Sequence, residues 1–159
     1  ERQCRQRVRE LLSQKAKYAL QALLVLADLN EGESMMISDI AERQRLPKRF
    51  LEQILLDLKH QGVVQSWRGK NGGYALLKPA DKISFGEIVR IIDGPLAPLP
   101  CLSRMAYRRC EECVDEERCA VRRVFAKVHD ATTEILDGMT LAHALGGAGE
   151  VRELLRSAG

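Results

Sequence analysis

The stretch ISDIAERQRLPKRFLEQILLDLKHQG, residues 37–62, sets two helical patterns back to back around a single proline. Proline lacks an amide hydrogen and is tolerated at the start of a helix but not inside one. Pro47 therefore ends a short helix that buries Ile40 and Ala41, with Ser38 as its expected cap, and starts a second one. In that second helix Phe50, Leu51, Ile54, Leu55 and Leu58 are expected on one inward stripe. Lys48, Arg49, Glu52, Gln53 and Asp57 are expected on the other face, and Gly62 as the C-terminal cap.

Neighbouring segments extend the pattern. SQKAKYALQALLVLADL, residues 13–29, has a capping serine and repeats Tyr18, Ala22, Leu26 and Leu29 at helical steps. Beyond Gly62, VVQSW (63–67) and YALL (74–77) read as strands joined by RGKNGG, where Asn71, Gly72 and Gly73 suit a hairpin turn. The order helix, short helix, turn, helix, hairpin is a winged helix-turn-helix. A further helix, ISFGEIVRIID (83–93), carries Ser84 and Glu87 at capping-box spacing. GPLAPLP (94–100) is a stiff linker. From 119 to 139, Val121, Val124, Phe125, Val128, Ala131 and Ile135 recur near every seventh residue, so this helix needs a long partner, most simply its own copy. The fold class is mainly α with a small β-hairpin. The expected units are a disordered tail (1–11), a winged helix-turn-helix domain (12–94), a linker and cysteine-rich sensor loop (95–118), a dimerisation helix (119–145) and a flexible tail (146–159).

This order points to DNA. In helix-turn-helix units the second helix enters the major groove by its N-terminal residues. Here those are Lys48 and Arg49, with Gln53 a turn later; arginine pairs with guanine and glutamine with adenine. Residues 38–70 hold seven Lys and Arg against four acids, a local +3 that equals the whole chain's excess. Arg68 and Lys70 at the hairpin tip are placed to meet phosphates or enter the minor groove. No paired carboxylates, serine–histidine arrangement or phosphate loop suggests an enzyme. The sequence has no membrane-length apolar run and no signal peptide, so a cytoplasmic protein is expected.

Four of the five cysteines then cluster: Cys101, Cys110, Cys113 and Cys119, with Cys4 apart in the charged leader. In a reducing compartment such a cluster favours metal or redox chemistry over a disulfide framework. Thiolates suit an iron–sulfur cluster or zinc; reversible thiol oxidation is the other reading. A metal or redox carrier containing a winged helix is a weaker one. Arg104, Arg108, Arg109 and Arg118 would offset thiolate charge. His60, His129 and His143 read as surface or interface residues.

Three marks together, FLEQIL, the wing RGKNGGY and the cysteines after GPLAP, make residues 12–142 resemble the Rrf2 family of bacterial winged-helix transcription regulators. The resemblance implies a homodimer on a near-palindromic operator of double-stranded DNA, with Lys48, Arg49, Gln53 and Arg68 at the DNA. It also implies that Glu52 matches an acidic residue which, in an iron–sulfur member, disfavours one DNA motif until cluster binding moves it. Members carry three cysteines after GPLAP that hold a 2Fe–2S or 4Fe–4S cluster. Cys113 and Cys119 fit the last two; Cys101 or Cys110 fits the first. The fourth ligand departs from the pattern: a histidine three residues past the last cysteine is Arg122 here, and an aspartate of the partner's first helix aligns with Lys17. Four cysteines of one subunit are the simplest replacement.

Overall fold

A computed structural model describes residues 11–70 and 72–146. The leader with Cys4, Asn71 in the hairpin turn and the tail after Gly146 lie outside the described residues. Among the described residues, six α-helices and one two-stranded antiparallel sheet order as α1 (Gln14–Ala27), α2 (Ile37–Gln44), α3 (Lys48–His60), β1 (Val64–Trp67), β2 (Gly73–Leu76), α4 (Phe85–Asp93), α5 (Ala120–Gly138) and α6 (Leu141–Leu145). No helix among the described residues is long and apolar enough to cross a membrane.

α1 runs through the centre because its small residues let neighbours approach. Ala16, Ala19, Ala22 and Leu23 are fully buried, and α2, α3, α4, α6 and β2 all pack on it. Ser13 caps it by accepting from the Ala16 amide, and Ser13 also bonds Asp93 at the end of α4. Leu51, Ile54, Leu55 and Leu58 of α3 close the core from the opposite side.

The turn between α2 and α3 uses a residue that sequence patterning did not single out. Arg45 takes a left-handed conformation, φ 53°, so that the Leu46 amide reaches the Ala41 carbonyl at 2.8 Å. The same closure ends α3, where Gly62 at φ 69° lets the Val63 amide donate to Leu58 at 2.9 Å. Ser38 does not cap α2. The helix begins two residues earlier, at Ile37 behind Met36, and the Ser38 hydroxyl bonds Asp39 instead.

β1 and β2 pair Val64 with Leu76 through Trp67 with Gly73, close to the expected spans. Met35 and Tyr74 exchange backbone bonds of 2.9 and 2.8 Å, which fixes the hairpin to the α1–α2 loop. Gly73 is obligatory there: a Cβ on it would lie 2.7 Å from the Met35 backbone.

Ser84 caps α4 by accepting from the Glu87 amide at 3.1 Å, but the Glu87 carboxylate bonds Lys78 rather than closing a capping box. The segment 119–145 is two helices, not one. After α5 the chain bridges back to Ser84 through Thr140, and α6 places a fully buried Leu141 in the winged-helix core. α5, 19 residues or about five turns, ends there, and the Met139–Thr140 break lets a leucine reach that core.

Candidate functional site

Lys48, Arg49, Glu52 and Gln53 all stand exposed on α3, on the face opposite the buried Leu51, Ile54, Leu55 and Leu58. Phe50 is a correction. It is 62% exposed beside Lys48 and Arg49, not part of the inward stripe. The buried positions repeat at steps of three and four from Leu51, and Phe50 falls 100° off that seam in a first turn that projects past the core. A sharper reading of the periodicity would have found this.

Gln53 is not free. Its amide donates to Asp57 Oδ1 at 2.8 Å, and Asp57 Oδ2 takes Lys15 Nζ from α1 at 2.7 Å. The Lys15 and Gln53 hydrogen bonds hold the Asp57 carboxyl below its ordinary range. α3 is thereby braced against α1, with the glutamine carbonyl still available to a base. At the other end Lys59 Nζ donates to Ser66 Oγ at 2.7 Å, linking α3 to β1. The hairpin carries Arg68 and Lys70 exposed at its tip, with Trp67 half-exposed at its base.

The second site is the segment between α4 and α5. A short 3-10 turn, Pro100–Leu102, buries Cys101. The chain then loops out and returns as the Arg108 amide donates to the Pro100 carbonyl at 3.2 Å. A second turn is closed by Cys113 donating to the Cys110 carbonyl at 3.1 Å. Arg109 holds the next stretch through the Cys113 and Val114 carbonyls, and Asp115 receives the amides of Glu117 and Arg118. Cys119 is the N-cap of α5, its sulfur accepting from the Arg122 amide at 3.4 Å.

These closures bring all four sequence-selected cysteines to the wall of one cavity of about 210 Å³, together with Leu99 and Val121. All four are free thiols. Burial, then the neighbouring Cys101, Cys113 and Cys119 sulfurs, push the Cys110 thiol up from its ordinary value, because each thiolate opposes the next. Among the described residues no three His, Cys, Asp or Glu side chains are grouped tightly enough to hold a metal ion as they stand. The donor set fits an iron–sulfur cluster in kind and in its shared cavity; bonding distance requires the loop between Cys101 and Cys119 to tighten. Arg122 also lines this wall, and its Nε is buried without a partner among the described residues, a feature that sequence reading missed. The histidines stay apart: His129 contacts Asp130, and His143 closes a capping box with Thr140.

α5 leaves the cysteines with an apolar stripe that nothing among the described residues covers. Val121 is 56% exposed and Val124 61%, with Phe125, Val128 and Ile135 also exposed, and none of the helix's residues is buried.

A family model described as Rrf2, iron-dependent transcriptional regulator, matches residues 12–146. An rrf2-like HTH-type transcriptional regulator of Rhodobacter capsulatus is 49% identical over 148 residues, 91% of this chain and 99% of the relative. Among solved structures, CymR, the global cysteine regulator of B. subtilis, superposes with a TM-score of 0.71 at 30% identity, covering 85% of this chain and 95% of that one. IscR of T. potens gives 0.68 at 30% identity, covering 89% and 90%. With a family match across the winged helix, the cysteine segment and α5 alike, the chain belongs to the Rrf2 family and is a DNA-binding transcriptional regulator, not an enzyme.

Proposed function

We propose that the protein is a cytoplasmic homodimer whose grip on a near-palindromic operator is set by an iron–sulfur cluster held by Cys101, Cys110, Cys113 and Cys119. The observation that carries this reading is the convergence of four free thiols on one cavity at the start of α5. The iron dependence in the family's description agrees with it. When bound, such a cluster supplies a centre whose charge and ligation change with oxygen, iron or a related signal.

The chain's own residues do the rest. The uncovered stripe of α5 pairs with its copy, since an apolar face of this length is otherwise a liability in water. Lys48, Arg49 and Gln53 then meet base edges in successive major grooves, with Phe50 beside them against thymine methyl groups. Arg68 and Lys70 meet the phosphates. Because Cys119 caps α5 and Cys101 anchors the linker from α4, drawing the sulfurs together moves the linker against the dimer helix. That motion resets the distance between the two α3 helices, and a misplaced half-site loses contacts worth roughly 1–3 kcal/mol each.

The test is anaerobic purification with iron, sulfide and visible absorption measured, followed by sedimentation and gel shifts of loaded, stripped and Cys→Ser protein. A coloured dimer whose operator affinity differs between loaded and stripped forms is expected. A colourless, iron-free protein that binds its operator in a thiol-dependent way would replace the cluster with direct thiol sensing. That second reading rests on the four free thiols sharing one cavity.

A further inference from the structure

Arg122 is the third residue of α5 and half-buried, and its Nε is shut away from solvent with no hydrogen-bond partner among the described residues. A buried donor left unmade is costly, more so when it belongs to a charged group. Such an orphan in a native fold calls for an ion or ligand to satisfy it. The side chain is not placed at random: it lines the same cavity as Cys101, Cys110, Cys113 and Cys119. The other polar side chain on that wall is Glu112, which is exposed.

Four thiolates around one centre carry excess negative charge, and Leu99 and Val121 are the apolar part of the wall around it. A guanidinium stays protonated under all physiological conditions and presents its donors in a fixed plane. Its backbone is already tied to the site, because the Arg122 amide donates to Cys119 Sγ.

We infer that Arg122 is a positioning residue for the cysteine site, its Nε–H donating to the anionic sulfur of the centre held there. The inference rests on the cluster reading above and deepens it: Arg122 holds no metal itself, but stabilises the loaded state and makes the centre easier to reduce. Hydrogen bonds to cluster sulfurs and local positive charge raise reduction potentials, and partners of this kind contribute 10–100-fold to affinity.

The test uses the full chain reconstituted anaerobically with iron and sulfide, as wild type, Arg122→Met, Arg122→Gln, Arg122→Lys and Glu112→Gln. Two quantities are read: the rate at which a chelator bleaches the visible absorption, and the midpoint potential. Arg122→Met is expected to lose the centre roughly 10–100-fold faster and to shift the potential downward. Arg122→Gln keeps a donor without charge and Arg122→Lys keeps the charge without the planar fork, so both fall between Met and wild type. Glu112→Gln behaves as wild type. Equal rates and potentials in wild type and all three Arg122 variants overturn the inference while leaving the cluster reading intact. So does a Glu112→Gln variant that matches Arg122→Met, which would make Glu112 the true partner. Wild-type protein that takes up no iron overturns both.

Discussion

Arg90 holds Asp137 by both arms of its guanidinium, Nη1 to Oδ1 at 2.7 Å and Nη2 to Oδ2 at 2.9 Å, and so locks α4 to the last turn of α5. Gly86 makes the approach possible: a Cβ there would sit 2.0 Å from Asp137 Oδ1. α5 is about 28 Å long from its residue count and rise. Its C-terminal end is clamped to the DNA-binding unit and its N-terminal end is capped by a cysteine. A change at the sulfurs therefore acts on a lever whose far end is fixed.

This clamp predicts an interaction between two substitutions. Asp137→Ala should cost up to about 1 kcal/mol, as expected for a partly exposed ion pair. Gly86→Ala should cost about 1–3 kcal/mol through overpacking. In the Asp137→Ala background the Gly86→Ala penalty should shrink, since the obstructing carboxylate has gone. Urea unfolding of the four proteins measures it; simple additivity would show that Gly86 is crowded by something else.

On DNA, Arg49→Ala should weaken the preferred duplex by about 1–3 kcal/mol and relax base preference, whereas Lys70→Ala should lower the salt slope by about 1 with preference unchanged. Phe50 offers a sharper probe. Replacing single thymines of a selected duplex by deoxyuridine removes only the methyl group. Wild-type protein should weaken at one such position per half-site, and Phe50→Ala should be indifferent there. A wild type insensitive to every replacement would remove Phe50 from base recognition.

Asp57 gives a pH dependence of defined sign. Its carboxyl titrates below the ordinary range in the native state because of the hydrogen bonds from Lys15 and Gln53 and the Lys15 charge. A depressed native value means the contribution is complete above the unfolded-state value and is lost as pH falls through the native one. Asp57→Asn should therefore be less stable by about 0.5–1 kcal/mol at neutral pH, given the pair's exposure. Below about pH 4 the gap should close. A gap that widened in acid, followed by thermal unfolding across pH, would contradict the assignment.

Arg45 should be improvable. A non-glycine residue in the left-handed region carries a cost of about 1–2 kcal/mol that glycine avoids. Arg45→Gly should raise the urea midpoint by about 1 kcal/mol equivalent, offset in part by glycine's greater freedom when unfolded. Arg45→Val, β-branched, should lower it.

What the sequence determined by itself is local. Pro47 separates two helices because a proline nitrogen cannot donate, Ser13 and Ser84 cap because their oxygens reach an amide three residues on, and the leucine spacing of α3 fixes its buried seam. Each depends on residues within one or two turns, so a short window contains the whole cause. The cysteine spacing likewise announced a site. Only the tertiary structure decided that Leu141 returns to the core, that Tyr74 bonds Met35 and that Arg122 shares a cavity with the sulfurs. Those outcomes depend on where distant segments meet. Steric fit and the satisfaction of buried polar groups settle that meeting, and neither leaves a periodic trace along the chain.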